Sequence, residues 1–248
     1  MKNTLLIALA FTSSFASAQK TEGELVYTEK IDMHSQIPDG PQAEMIKGMI
    51  PQFQESESTL IFSKTESLYQ AKEAATENEA IEEEGNFKVE IKMERPDEKT
   101  YMDLANNLTV QQKDLMGRLF LIKDSIDQSA WKISGESKKI NGLECMRATM
   151  VTDSTEIIAW FTPQIPVSTG PMGFGGLPGL IFYLKIDDFM EVSIKNMVFR
   201  DLVKNEIKAP NKGKVVTMDE YDELSAKKME EMKAQHGGNG GAIIIESE

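Results

Sequence analysis

Met190-Glu191-Val192-Ser193-Ile194-Lys195 alternates apolar and polar side chains at every position. A period of two puts Met190, Val192 and Ile194 on one face of an extended strand and the three polar residues on the other. That pattern fits an antiparallel sheet buried on one side and wet on the other. Phe87, Val89, Ile91 and Met93 alternate in the same way with Lys88, Glu90, Lys92 and Glu94, and Leu25 and Tyr27 with Glu24 and Thr28 make a shorter version. Further strands are expected at Leu60 to Phe62, Tyr101 to Leu104, Leu119 to Ile122, Leu143 to Met150, Ile157 to Phe161 and Leu180 to Ile186. Asn141-Gly142 predicts a hairpin, because both residues tolerate the positive φ of a type I′ turn, and Asp187-Asp188 predicts a second turn.

Two helices interrupt the strands. Asp39-Gly40-Pro41 precedes Met45, Ile46, Met49 and Ile50, and Pro51 stops the stripe, so this helix is expected to lie across the sheet. Thr217-Met218-Asp219-Glu220 fits a capping box, followed by an apolar edge of Tyr221, Leu224, Met229 and Met232 until Gly237-Gly238. The expected architecture is a single, mainly β (α+β) domain over residues 19–212: one antiparallel, strongly curved sheet, an open half-barrel with one or two covering helices. A C-terminal helix over 213–236 and a glycine-rich flexible tail over 237–248 complete it. Helices this short cover only part of an apolar sheet face, which predicts a cleft between sheet and helices.

Residues 1–18 read as a secretory signal peptide: Met1-Lys2-Asn3 is a positive start, Leu5 to Phe11 an apolar run, and Ala16-Ser17-Ala18 a small-x-small cleavage site before Gln19. The expected location is therefore periplasmic or secreted. No later segment is long and apolar enough to span a bilayer as a helix. The chain of 248 residues carries 27 Lys and Arg against 40 Asp and Glu, a net charge of -13, which repels nucleic acid and anionic lipid. Six glutamates between Lys72 and Glu84 read as an exposed acidic loop. A single cysteine excludes an intrachain disulfide and a cysteine-based zinc cage. Cys145 reads as a small buried hydrophobe rather than a reactive thiol.

Gly170 to Gly179 holds five glycines and two prolines, which forces a compact loop set by the backbone. It lacks the Gly-Lys-Ser/Thr of a phosphate loop, and Leu180-Ile181-Phe182-Tyr183-Leu184 after it reads as a strand, not a helix. Gly176-Leu177-Pro178-Gly179-Leu180-Ile181 resembles the hexapeptide that names the GLPGLI family. Trp160-Phe161-Thr162-Pro163-Gln164-Ile165-Pro166, Gly170-Pro171 and the Cys145-containing stretch Ile140 to Thr149 resemble that family's flanking blocks, although Met172 stands where an aromatic is common. The resemblance spans Trp131 to Asp187. It implies an exported Gram-negative envelope protein with no established activity.

No Gly-x-Ser-x-Gly or His-Glu-x-x-His occurs, so no catalytic residue and no cofactor is expected. The leading expectation is a non-enzymatic binding or carrier module for an apolar ligand or protein segment. Its lining would be Met45, Met49, Trp160, Phe161, Leu177, Leu180 and Phe182. This layout resembles bacterial lipoprotein carriers in fold. One alternative is a structural envelope protein that docks another protein through the loop built on Gly170, Pro171, Gly176, Pro178 and Gly179. A second is a Cu(I) handler using thioethers of Met33, Met45 and Met49 with His34, since soft ligands suit that ion. N-terminal sequencing of the protein recovered from the envelope or medium is expected to begin at Gln19; a chain that retains Met1 would remove the export reading.

Overall fold

The computed structural model describes residues 21–37, 40, 41, 43–72, 98–126, 131–152 and 155–235. Its elements are β1 (Gly23–Asp32), α1 (Ala43–Met49), β2 (Phe53–Phe62), β3 (Glu66–Ala71), β4 (Lys99–Asp103), β5 (Leu108–Leu115), β6 (Arg118–Ser125), β7 (Lys132–Ile140), β8 (Leu143–Thr152), β9 (Thr155–Thr162), β10 (Leu180–Ile186), β11 (Met190–Val198), β12 (Lys214–Val216) and α2 (Met218–Gln235). The strands form one open sheet in the order β12-β6-β5-β4-β3-β2-β1-β11-β10-β9-β8-β7. The expected signal peptide, the Phe87 to Glu94 strand, residues 73–84 of the acidic stretch, His236 and the tail over 237–248 lie outside the described residues.

The sheet is mixed, not purely antiparallel as expected. Every pairing from β6 through β7 is antiparallel, but β12 runs parallel to β6, with Lys214, Val215 and Val216 opposite Phe120, Leu121 and Ile122. The cause is the route of the chain after β11. Residues 199–213 cross one face of β3 to β6, where Ile207 packs on Leu68, Tyr101, Val110 and Leu121. Arg200 anchors this crossing through Glu24, at 2.8 Å, and through Glu206. A crossover of this kind delivers a strand parallel to its neighbour, whereas a hairpin delivers an antiparallel one.

Local turn chemistry follows the sequence. Asn141 and Gly142 have φ of 47° and 81° between β7 and β8, and Asp187 has φ of 43° between β10 and β11. The turn between β5 and β6 uses Met116 and Gly117, at φ 53° and 75°. Methionine is rare at positive φ, so composition gave no warning of that hairpin. The capping box of α2 is present: Glu220 N donates to Thr217 Oγ1 at 3.1 Å, and Thr217 N to Glu220 Oε2 at 3.0 Å.

The cover over the sheet departs from expectation. Helix α1 buries only Ala43, and α2 touches the sheet through Tyr221 and Leu224, which pack on Phe120, Ile122 and Val216. The main cover is the connection between β9 and β10, residues 163–179. Its Ile165, Val167, Thr169 and Leu177 are buried, and they join the core made by Leu25, Tyr27, Leu60, Phe62, Phe161, Phe182, Leu184 and Val192. Call the covered side of the sheet its inner face. The loop leaves β9 and returns to β10, yet Gly173 and Gly175 come against Thr100 and Met102 of β4. Five strand spacings separate β10 from β4, roughly 24 Å, so the loop roofs the middle of the sheet.

Gly179 shows how tight the roof is. A Cβ there would sit 2.2 Å from the Thr162 carbonyl oxygen, whereas one at Gly135 would meet nothing within 4 Å. Gly179→Ala is expected to destabilise the protein by about 2–3 kcal/mol, read as a lower urea midpoint, while Gly135→Ala leaves the midpoint nearly unchanged.

Candidate functional site

Of the seven residues expected to line a ligand cleft, Phe161, Leu177, Leu180 and Phe182 come together in the core and Trp160 packs against it, whereas Met45 and Met49 lie apart from them. Phe161, Leu180 and Phe182 are fully buried beneath the loop, and Leu177 is part of the loop's own contribution to that core. Met45 and Met49 are 61% and 72% exposed on α1, so they do not face the sheet. Trp160 precedes Phe161 in an extended strand and therefore points to the opposite, outer face. His34 lies in a short 3-10 turn with Nε2 3.1 Å from the Ile50 carbonyl oxygen. Among the described residues no group of three or more His, Cys, Asp or Glu side chains converges on one point.

The glycine-rich loop is held from inside rather than presented outward. Gly170, Pro171, Gly175 and Gly179 are buried, and a Cβ at Gly170 would stand 2.7 Å from the Ile181 side chain. Gly176 adopts φ 82°, a conformation open to glycine, and donates its N–H to Ser168 Oγ at 2.9 Å. Pro178 is exposed at the loop's outer bend. Thr169 Oγ1 lies 2.7 Å from Ser67 Oγ, Trp131 Nε1 donates to the Gly175 carbonyl at 2.8 Å, and Tyr27 Oη donates to the Ile181 carbonyl at 2.5 Å. The loop thus ties β3 to the segment before β7, and Tyr27 of β1 holds the start of β10 just after it.

Beside the loop, on the inner face, Glu29 accepts from Ser58 Oγ at 2.6 Å, Ser56 Oγ at 3.0 Å and Tyr69 Oη. Burial, followed by the Glu29 charge, holds the Tyr69 hydroxyl well above the ordinary tyrosine range. Tyr69 is therefore a fixed donor, and the cluster cross-links β1, β2 and β3. With every hydroxyl engaged, it reads as a structural network.

The outer face differs between its two halves. Over β3 to β6 it is roofed by residues 199–213, but over β8 to β10 it carries half-buried Ile158, Trp160, Tyr183 and Arg147 with no covering segment among the described residues. Arg147, Trp160 and Tyr183 are successive register partners across three strands. The Lys138 ammonium lies 4.0 Å from the Trp160 ring centroid, and Arg147 pairs with Glu136 at 3.3 Å. Burial, with the neighbouring Glu191 charge, raises the Tyr183 hydroxyl above its usual range. Composition alone had marked Trp160 but not Lys138, Arg147 or Tyr183, because their proximity depends on strand order.

A cavity of about 290 Å³ is lined by Glu156, Ile158, Lys185, Asp187 and Asp188; another, about 250 Å³, lies between α2 and the β5–β6 hairpin, lined by Leu115, Met116, Arg118, Phe120, Leu224 and Lys228. Both are at the small end of the roughly 300–1,000 Å³ typical of ligand pockets.

Comparison with known proteins places these observations. A family model described as "Protein of unknown function (Porph_ging)" matches residues 149–183, the stretch from late β8 through β9 and the loop into β10. That match is compatible with the GLPGLI resemblance and assigns no activity. Solved structures of PNGF-II, in a C2 and in a P21 space group, are similar in fold, each with a TM-score of 0.56 and 15% identity. Each alignment covers 84% of this chain and 33% of that one, so the chain spans about a third of the length of these structures. The comparison with curated proteins gives no match.

Cys145, inside the resembling segment, is buried and unpaired, and burial pushes its thiol up to about 11. Roughly one molecule in a thousand then carries a thiolate at pH 8. Iodoacetamide is expected to label the folded protein at least about tenfold more slowly than the urea-unfolded chain; equal rates would show an accessible thiol.

Proposed function

We propose that this chain is an exported, non-enzymatic module that docks a partner protein through the outer face of β8 to β10, rather than a carrier of an apolar ligand. The observation that carries this reading is the loop over 163–179, whose Ile165, Val167 and Leu177 occupy the place on the inner face where a carried ligand would lie. What remains uncovered by the described residues, and half apolar, is the outer face around Trp160 and Tyr183. Aromatic and arginine side chains on a flat, partly desolvated patch suit protein docking.

Three further features support it. Most of the loop is buried or half-buried, and between Gly170 and Gly179 only Met172 and Pro178 are exposed for docking. The fold also occupies about a third of the longer PNGF-II chain, which is how a module joined to other parts is used. Export rests on the N-terminal pattern and on the envelope character that the family resemblance implies.

Two measurements test the proposal. Solvent extraction and mass spectrometry of the protein purified from its native envelope are expected to find no stoichiometric lipid. A photo-crosslinking residue placed at Lys185 is expected to trap one partner protein, and the same residue at Met172 to trap none. Stoichiometric lipid, or crosslinks from Met172 alone, would overturn docking through the outer face.

A further inference from the structure

Lysines lie over aromatic rings at three places among the described residues. Lys30 stands 4.0 Å from the Phe53 centroid and Lys113 5.2 Å from that of Tyr221, one ring each. Lys138 is different: its ammonium lies 4.0 Å from the centroid of Trp160 and 5.2 Å from that of Tyr183. These rings belong to register partners on β9 and β10, so their spacing is set by the backbone ladder and not by flexible side chains. Lys138 itself is exposed and forms no ion pair among the described residues. Two ring faces hold it, and each attracts a cation through its quadrupole.

We propose that Trp160 and Tyr183 form an ammonium-binding notch, filled in the free protein by Lys138, which a lysine side chain of the partner protein enters when it displaces Lys138. This rests on the docking reading above and names the chemistry recognised there. The notch already holds an ammonium, so its size and electrostatics suit one. Lys138 projects from β7, the edge strand, and leaving the notch requires only its side chain to swing away. Glu191 lies beside Tyr183, and the net charge of -13 draws basic partners toward the whole molecule. A tethered lysine competes at high effective concentration, so the wild-type notch discriminates against free cations and yields to a partner that supplies further contacts.

The test uses purified full-length protein and tetramethylammonium, which lacks hydrogen-bond donors and so reports the ring faces. The readout is the indole N–H resonance of Trp160, identified by its loss in Trp160→Leu. Lys138→Ala is expected to bind tetramethylammonium on the order of tenfold more tightly than the wild type. Tert-butanol, neutral and of similar size, should give no comparable shift. Adding Tyr183→Leu to Lys138→Ala should abolish the gain, with a cooperative melt confirming that the double variant is folded. If that variant does not fold, Tyr183→Phe, which keeps the ring, should retain the gain. Equal affinity in wild type and Lys138→Ala, an equal response to tert-butanol, or a gain that survives loss of the second ring would each overturn the notch. No partner enters this titration, so its failure counts against the notch alone, whereas missing crosslinks at Lys185 count against docking.

Discussion

A sheet with one apolar face needs a second layer, and in this protein most of that layer is a loop. Each Ile, Val or Leu moved out of water contributes about 1.5–3 kcal/mol, and residues 163–179 bring Ile165, Val167 and Leu177 onto the inner face. The backbone must approach the strands closely for this to work. Gly170 and Gly179 leave no space for a Cβ, and Gly176 supplies a left-handed turn. Because the loop lies among apolar side chains, its polar groups need partners inside the protein. Ser67, Ser168 and Trp131 provide them.

Filling the inner face has a consequence for function. The side of the sheet best suited to hold an apolar molecule is occupied by the chain's own residues, which leaves the outer face of β8 to β10 as the surface that no segment among the described residues covers. Neighbouring residues in one strand then serve opposite ends. Phe161 belongs to the core and Trp160 to the outer patch, one position apart. The family-matched residues 149–183 contain both, so the same short segment builds the roof, its support and the aromatic patch.

The edges of the sheet point the same way. β7 carries Lys132, Lys138 and Lys139 and a register irregularity between Ile133 and Ser137, features that discourage another strand from pairing with it. β12, at the opposite edge, is three residues long and runs directly into α2. Contact through the outer face therefore has fewer obstacles than strand addition. Lys138 has a part in both: it charges the edge and occupies the Trp160–Tyr183 corner.

Alternation over Met190 to Lys195, the Asn141-Gly142 and Asp187-Asp188 turns, and the Thr217–Glu220 cap were legible because each depends on residues within a few positions of one another. The same local logic marked Gly170 to Gly179 as a rigid loop and Cys145 as buried. β5 was missed because Gln111, Gln112 and Lys113 break its apolar run, and β12 because three residues carry too little pattern. Helix α1 has an apolar stripe, yet Met45 and Met49 remain in water, since amphipathicity states what a helix can bury and not whether a surface is offered to it. By itself the sequence determined the strand-rich class, the turn positions and the acidic charge, all of which follow from short-range sterics and composition. Only the tertiary structure decided that the loop, not the helices, roofs the sheet, that β12 joins in parallel, and that Lys138, Trp160 and Tyr183 meet. Those outcomes depend on strand order and on long connections, whose endpoints no local pattern specifies.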